Sequence, residues 1–349
     1  MTSGSGPKFD KARDLHKRVP VITIHDHDPI ADDLEGCLAG GISAKVLMPV
    51  VDIKIQRDPM ATGRVLDGWA EHARTEFREM LRQIADSGGR AFLATSEAEI
   101  ERAHREGKLA VIMGAEGGKL IEDSLPLLHE FHRMGLRFVG LTWAFPNRIS
   151  NMDDPAQPGL TAFGKTVVAE MNRLGIVIDI GHAGYRTFFQ TLELSSHPIV
   201  FSHGGAKGAI LRSRHPDWYS GANCFCDDDM LKALAETGGL IGVNFVGHVF
   251  HRSHGTTDVV MADVIDHFEY VAERVGVDVL ALGCDYFPTH GLWAELQRSQ
   301  DSPADSYIVR KERLWDFTAA LLDHGWSEAD LVKILGGNAL RVFKKVLGR

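Results

Sequence analysis

The 349-residue sequence has few cysteines, no excess of positive charge and no long apolar run. Its four cysteines are too few for a disulfide framework, and we expect reduced, buried thiols. A net charge of −9 argues against nonspecific nucleic-acid binding, which depends on lysine and arginine neutralising phosphates. Because neither a run of 18 apolar residues nor an amino-terminal signal peptide is visible, we expect a cytoplasmic protein with no membrane partner.

The composition is that of a folded protein with a large core, since 44% of the residues are hydrophobic and 24% are charged. Eight apolar runs, most of them continuous and rich in valine and isoleucine, are typical of strands that are covered on both faces. They comprise residues 19–24, 44–51, 109–114, 138–143, 176–180, 199–202, 240–245 and 279–283.

Helical segments separate most of these runs. Residues 69–86 carry apolar side chains at spacings of three and four, which predicts an amphipathic helix. Residues 163–174 and 262–275 are predicted to be helical as well. Residues 186–196 are short for a full helix, so that unit carries the weakest signal.

The alternation of strands and helices predicts an α/β protein built as a closed (β/α)8 barrel, the TIM barrel, with extra C-terminal helices. We predict one domain over residues 1–349, with 1–18 as an N-terminal flank and 288–349 as a loop and helices packed on the barrel. An open doubly wound sheet is the alternative architecture, but no phosphate-binding glycine pattern follows the first run.

Histidines and acidic residues follow the apolar runs. They are His25 and His27 after the first run, Glu116 after the third, His182 after the fifth, His203 after the sixth and Asp285 after the eighth. A single histidine at a strand end is more often a structural residue. Five strand ends that converge on one face of a barrel instead predict a metal site, and imidazole and carboxylate ligands suit zinc.

The spacing of these residues suggests how two ions would be held. Because side chains two apart on a strand point the same way, His25 and His27 can grip one ion. His182 and His203 can grip a second, and the two oxygens of Glu116 can bridge the pair. Asp285 would then take up and release the proton. Three roles are open for Asp26 and Asp28. They can orient these histidines, they can face solvent, or they can take the place of the histidines as ligands if the register of the strand is shifted.

Other histidines carry weaker signals. His248 follows the seventh run and is a candidate for substrate binding by its place in the topology. Histidines on the helices and flanks, His16 among them, are expected to be solvated.

An ordered set of motifs resembles the membrane (renal) dipeptidase family, zinc-dependent barrel enzymes of the amidohydrolase type. The resemblance runs from about Val21 to Phe343. Its motifs are the His25 pair and residues 115–118, 140–143, 170–175, 179–182, 201–203, 239–245, 283–285 and 336–342. It implies a metallo-dependent hydrolase barrel with two zinc ions bridged by Glu116, in which His182 and His203 hold the second ion and Asp285 handles the proton.

The sequence departs from this family in three places. His27 stands where the family has aspartate. Trp143 stands where the family often has a histidine that helps to stabilise the transition state or bind substrate, so Trp143 is a candidate for substrate binding. Ala222 stands where the family has an arginine that pairs with the substrate carboxylate. Asn223 fits the neighbouring position, and Arg212 or Arg214 is a candidate to replace the missing arginine.

The sequence therefore predicts a zinc hydrolase of amide bonds, in the first place a dipeptidase acting on a small-molecule substrate. A water ionised between the two metals would attack the scissile carbonyl, and Asp285 would shuttle the proton. One alternative is an amidohydrolase of N-acyl amino acids, cyclic amides or lactones. Another is a catalytically silent accessory or binding paralogue. A homodimer is an open alternative to a monomer.

Overall fold

The computed structural model describes residues 6–49, 68–143, 146–213, 224–246, 261–288 and 308–348. These residues form eleven strands. In chain order they are β1 (Val21–Asp26), β2 (Ile42–Leu47), β3 (Ala91–Leu93), β4 (Leu109–Ala115), β5 (Leu136–Gly140), β6 (Val177–Asp179), β7 (Val200–Phe201), β8 (Gly205–Ala206), β9 (Phe225–Cys226), β10 (Leu240–Val243) and β11 (Leu280–Leu282).

Eight of these strands close a parallel barrel. The ring runs β1, β2, β4, β5, β6, β7, β10 and β11, and β11 pairs back on β1. Each strand of the ring overlaps one of the eight predicted apolar runs, so the predicted (β/α)8 barrel is confirmed. The sequence pattern misses β3, which pairs with β4, because three residues are too few to show a periodicity.

Thirteen α-helices are present in the described residues. They are α1 (Pro7–Arg18), α2 (Ile30–Ala39), α3 (Trp69–Asp86), α4 (Glu97–Glu106), α5 (Leu125–Met134), α6 (Ala162–Leu174), α7 (Tyr185–Leu194), α8 (Lys207–Arg212), α9 (Asp228–Thr237), α10 (Met261–Val275), α11 (Trp315–Asp323), α12 (Glu328–Val332) and α13 (Asn338–Leu347). None of them is long and apolar enough to span a membrane.

The predicted helices lie close to the observed ones. Helix α3 has the predicted bounds, and it buries Trp69, Ala73, Phe77 and other residues of its apolar stripe. Helices α6 and α10 each begin one residue before the predicted segment. Residues 186–196, whose sequence gave the weakest helical signal, overlap the ten-residue helix α7.

The C-terminal helix α13 covers the amino ends of several barrel strands. The Asn338 side chain donates to the carbonyl oxygens of Val277 and Leu280, just before and at the start of β11. The Arg341 guanidinium donates to the carbonyl oxygen of Gly238, before β10. Because α13 covers the amino ends of these strands, the functional side chains are expected at the carboxyl ends.

The expectation that His16 is solvated is wrong. Only 3% of this residue is exposed. Its Nδ1 atom donates to the carbonyl oxygen of Gly40 at 2.9 Å, and its Nε2 atom accepts from the Thr318 hydroxyl at 2.7 Å. Thr318 lies on α11, so His16 ties the N-terminal helix to the C-terminal segment.

Candidate metal centre

The predicted metal ligands meet at the carboxyl end of the barrel. His25 is the fifth residue of β1 and His27 follows that strand directly. Glu116 follows β4, while His182, His203 and Asp285 lie two or three residues beyond β6, β7 and β11. Backbone hydrogen bonds between these two chain segments continue past the ends of β1 and β11. The Asp285 N–H donates to the His25 carbonyl oxygen, and the His27 N–H donates to the Tyr286 carbonyl oxygen.

The side chains of four residues form a first group. The Nε2 atoms of His25 and His27 are 3.0 Å apart. Glu116 approaches both rings, with Oε1 lying 3.6 Å from His25 Nε2 and Oε2 lying 3.5 Å from His27 Nε2. The Oδ1 atom of Asp285 lies 3.6 Å from His25 Nε2 and 3.4 Å from His27 Nε2.

A second group shares Glu116 with the first. The Nε2 atoms of His182 and His203 are 2.8 Å apart, and they lie 3.1 and 3.4 Å from Glu116 Oε1. Zinc bonds of about 2.0–2.1 Å in a tetrahedron place ligand atoms about 3.3 Å apart. The separations in both groups lie around this value.

The outer nitrogens of the rings explain why the Nε2 atoms face one another. The Nδ1 atom of His27 donates to the Met48 carbonyl oxygen at 2.7 Å, so Nε2 carries the lone pair of the neutral ring. The Nδ1 atom of His182 lies 3.8 Å from the Cys224 thiol. Lone pairs that converge at these distances repel one another unless a cation or a proton lies between them, so the side chains fit a metal.

The electrostatics of the buried groups agree with a ligand role. Burial opposes charge on Glu116, but the hydrogen bond with His182 and the nearby imidazoles hold its pKa at about 2. Burial and the neighbouring imidazoles lower the pKa of His25 well below its usual value. Burial also opposes charge on His27, yet Asp285 and Glu116 raise its pKa to about 8. A proton and a metal ion thus compete for Nε2 of His27.

Two of the site residues have strained backbones. His182 has a φ of 61° and Asp285 a φ of 57°, in the left-handed region that favours glycine. Such conformations cluster at functional sites. The Oδ2 atom of Asp285 accepts from the Asn244 side chain at 2.7 Å, which leaves Oδ1 turned toward the histidines.

Sequence reasoning gave no role to Asn244 or Ser202. Ser202 directly follows β7, and its hydroxyl contacts His25, His203 and Asp179. Both residues occupy the strand-end positions that singled out the predicted ligands, so position alone could have found them. Asparagine and serine are also common in ordinary turns, so their position at a strand end does not by itself indicate a functional role.

Asp26 and Asp28 face away from the proposed ligands. The Lys311 ammonium lies 2.9 Å from Asp26 Oδ2 and 2.7 Å from Asp28 Oδ2. Lys45 lies 3.2 Å from Asp26 Oδ1 and 2.7 Å from Asp33 Oδ2. Two ammonium groups thus occupy the space among these three carboxylates, where a cation would otherwise fit.

The candidate substrate-binding residues are only partly described. Trp143 is half-buried and lies just beyond the carboxyl end of β5. Arg212 points to α10, where its guanidinium lies 2.6 Å from Glu273 and covers the Tyr270 ring. The structure therefore does not bring Arg212 together with the histidines. Arg214, Asn223 and His248 lie outside the described residues.

The four cysteines are buried and form no disulfide, as expected. They are Cys37, Cys224, Cys226 and Cys284.

Known proteins resemble this chain in sequence. The sequence model of the membrane dipeptidase family (peptidase family M19) matches residues 72–347. Dipeptidase 3 of Mus musculus is 33% identical over an alignment of 260 positions, which covers 68% of this chain and 45% of that protein. The chain spans about half the length of the curated relatives it matches.

Solved structures show the same fold. An amidohydrolase from Pseudomonas aeruginosa has a TM-score of 0.80 at 23% identity, covering 97% of this chain and 99% of that chain. A metallo peptidase from Rhodobacter sphaeroides, liganded with a phosphinate mimic of the dipeptide L-Ala-D-Ala, has a TM-score of 0.75 at 20% identity. That likeness covers 94% of this chain and 99% of the other.

Proposed function

Because this chain belongs to the membrane dipeptidase family, peptidase family M19, we propose that it is a zinc-dependent hydrolase of amide bonds that cleaves dipeptides. One observation carries the proposal. Four imidazole Nε2 atoms, delivered by three barrel strands, converge on the Glu116 carboxylate, which comes from a fourth. Such a donor set suits zinc and similar divalent ions.

Two ions per chain account for the two groups of ligand atoms. His25 and His27 would hold the first ion, with Asp285 facing it, and His182 and His203 would hold the second. Glu116 lies against both pairs, with Oε2 near His27 and Oε1 near His182 and His203, so it would serve both ions. The chemistry that such ions would supply is activation of a water molecule at neutral pH and polarisation of the scissile carbonyl.

Asp285 is the group that moves the proton. Its Oδ1 atom faces the cluster of ligands, while the hydrogen bond from Asn244 to Oδ2 fixes the plane of the carboxylate. A carboxylate held in this way can accept a proton from the attacking water and deliver it to the departing nitrogen. Asn244 acts by positioning Asp285.

The dipeptide substrate is the finer part of the proposal. The Rhodobacter sphaeroides relative, with its mimic of L-Ala-D-Ala, supports the inclusion of L,D-dipeptides among the candidates. The placement of Arg212 favours a second class. Its guanidinium is held by Glu273, so it does not offer the bidentate clamp that a free substrate carboxylate prefers. Cyclic amides and lactones need no such clamp, so they are the alternative substrates that this placement favours. N-acyl amino acids keep a free carboxylate, and they stay among the alternatives because of the departures at Trp143 and Ala222.

The test combines metal analysis with a substrate panel. Purified protein is analysed for bound metal and assayed with L,L- and L,D-dipeptides, N-acyl amino acids, a cyclic amide and a lactone. Two zinc equivalents and turnover of dipeptides are expected. Turnover of the other substrates alone would assign the second class. A protein that keeps its zinc but is inert toward the whole panel would support the silent paralogue, and a protein that retains no divalent ion would end the proposal.

A further inference from the structure

A single hydroxyl group contacts one ligand from each of the two groups. The Ser202 Oγ atom lies 2.8 Å from Nδ1 of His25 and 3.0 Å from Nδ1 of His203. It also lies 2.6 Å from Oδ2 of Asp179. Ser202 is fully buried, and Asp179 is almost so. Three partners therefore share a hydroxyl that has one proton and two acceptor positions.

The other oxygen of Asp179 decides where that proton goes. Oδ1 accepts from the backbone N–H of Gly181 at 2.9 Å and from that of Ser202 at 3.0 Å. This leaves Oδ2 as the acceptor that faces the hydroxyl. A carboxylate only accepts, so Ser202 donates its one proton to Asp179. Both imidazoles must then donate to Ser202 through Nδ1–H, and each keeps its lone pair on Nε2.

We propose that Ser202, with its proton held by Asp179, is a positioning residue that sets the tautomer of His25 in one metal subsite and of His203 in the other. The inference rests on the proposed function, because the two subsites are those assigned there. It goes beyond that function by coupling the subsites. Loss of one hydroxyl should weaken both ions, although Ser202 touches neither.

The surrounding backbone holds Ser202 in place. Gly242 of β10 and Gly283 after β11 pack so closely that a side chain at either position would collide with the Ser202 carbonyl oxygen. Glycine is required where two backbones approach in this way. The backbone from which the Ser202 hydroxyl projects therefore has little room to shift.

Asp179→Asn is the sharpest variant for this inference. The two backbone N–H groups keep the amide oxygen in the place of Oδ1, so the amide nitrogen replaces Oδ2 and donates to Ser202. The Ser202 proton must then turn to Nδ1 of His25 or of His203. That ring is forced to carry its own proton on Nε2, where it blocks the metal. The same exchange beside a catalytic imidazole elsewhere leaves the geometry intact but gives the wrong tautomer.

The experiment measures zinc binding and histidine tautomers separately. Zinc affinity and stoichiometry are determined by competition with a chelator for the wild type, Ser202→Ala, Asp179→Asn and Ser150→Ala. Ser150 is the matched control, because it is an equally buried serine whose hydroxyl bonds to Thr187 and Gly159, away from the ligands. Nitrogen-15 spectra of the metal-free protein report the tautomers, with His25→Gln and His203→Gln assigning the signals.

We expect the affinity for both ions to fall by about 10- to 100-fold in Ser202→Ala, and the affinity for at least one ion to fall as far in Asp179→Asn. Both affinities should stay unchanged in Ser150→Ala. The metal-free wild type should show Nδ1–H tautomers at His25 and His203, and Asp179→Asn should convert one of them. A folded Ser202→Ala that binds both ions normally, or that weakens the binding of only one, overturns the inference. A folded Asp179→Asn that binds both ions normally also overturns it. So does an Nε2–H tautomer at either ring of the wild type. A wild type that binds no zinc but shows the expected tautomers overturns the proposed function instead.

Discussion

The rings of His25 and His203 lie against each other with centroids 3.8 Å apart, although β1 and β7 are not neighbours in the barrel. The contact crosses from one proposed metal subsite to the other. Glu116 Oε1 lies 3.6 Å from His25 Nε2 and 3.4 Å from His203 Nε2. The two subsites are thus close enough to share one carboxylate, and this carries the first prediction.

Glu116→Gln should weaken the binding of both ions, because the variant removes the one negative charge that the subsites share. His182→Gln should weaken the binding of the second ion only, since His182 belongs to the second group of ligands alone. The measurement is zinc stoichiometry by elemental analysis after dialysis against a weak chelator. Equal stoichiometries for the two variants would contradict a bridging role for Glu116.

Asp285→Asn should lower kcat by about 10²- to 10⁴-fold while zinc is retained, because an amide cannot accept the transferred proton. Steady-state kinetics on the best substrate, together with metal content, checks this. Asp278→Asn is the matched control, since Asp278 is an exposed aspartate before β11 that pairs with Lys333. Near-wild-type turnover in Asp285→Asn would remove this residue from the chemistry.

Lys311→Met should destabilise the fold by about 3–5 kcal/mol, because it leaves only Lys45, of the two ammonium groups, for the carboxylates of Asp26, Asp28 and Asp33. Lys311 is 4% exposed and contacts Asp26, Asp28 and Asp33. Lys333→Met breaks an exposed pair and should cost no more than about 1 kcal/mol. Urea unfolding of both variants measures the difference. Similar losses in the two variants would show that the buried cluster is dispensable.

Arg212→Ala should leave KM for a dipeptide unchanged, since Arg212 is engaged by Glu273 and Tyr270 on α10. An arginine that bound the substrate carboxylate would instead raise KM strongly when removed. Kinetics with one dipeptide and its C-terminal amide separates the two cases. A rise in KM for the free acid alone would return Arg212 to the substrate site.

The metal-free protein should lose stability as the pH falls from about 6.5 to 4, in part through His16. Burial lowers the pKa of His16 from 6.5 to about 4, against the opposing hydrogen bond to Gly40. In this window the unfolded chain binds more protons than the folded one, so unfolding becomes easier with acid. His16 accounts for about 3 kcal/mol of this loss.

His16→Gln isolates this contribution. At pH 7.5 the variant should be less stable than the wild type, because it disturbs the bonds to Gly40 and Thr318. Because glutamine does not titrate, the gap should narrow toward pH 4. Urea unfolding at several pH values measures it, and a gap that is independent of pH would rule out His16 as a contributor.

The sequence predicts the barrel and the meeting of the ligands because both follow from local patterns. Continuous apolar runs mark the strands, and the geometry of a barrel brings their carboxyl ends together. His25, Glu116 and His203 can therefore be selected without knowing any contact.

Partners that are distant in the chain escape such reasoning. The burial of His16 depends on Thr318, and the role of Asp26 depends on Lys311. No residue near His16 or Asp26 in the sequence indicates these partners. The sequence therefore left three roles open for Asp26: facing solvent, supporting the histidines or binding metal. The tautomers set by Ser202 depend on a count of protons among four residues, which requires coordinates.

The left-handed backbone at His182 and Asp285 has a consequence for attempts to make this protein hardier. Each such conformation costs about 1–3 kcal/mol, which a glycine would recover. Glycine would also discard the imidazole or the acid. A selection for heat resistance alone would therefore favour His182→Gly and Asp285→Gly, which remove site residues. Such a selection should be combined with a second screen for turnover.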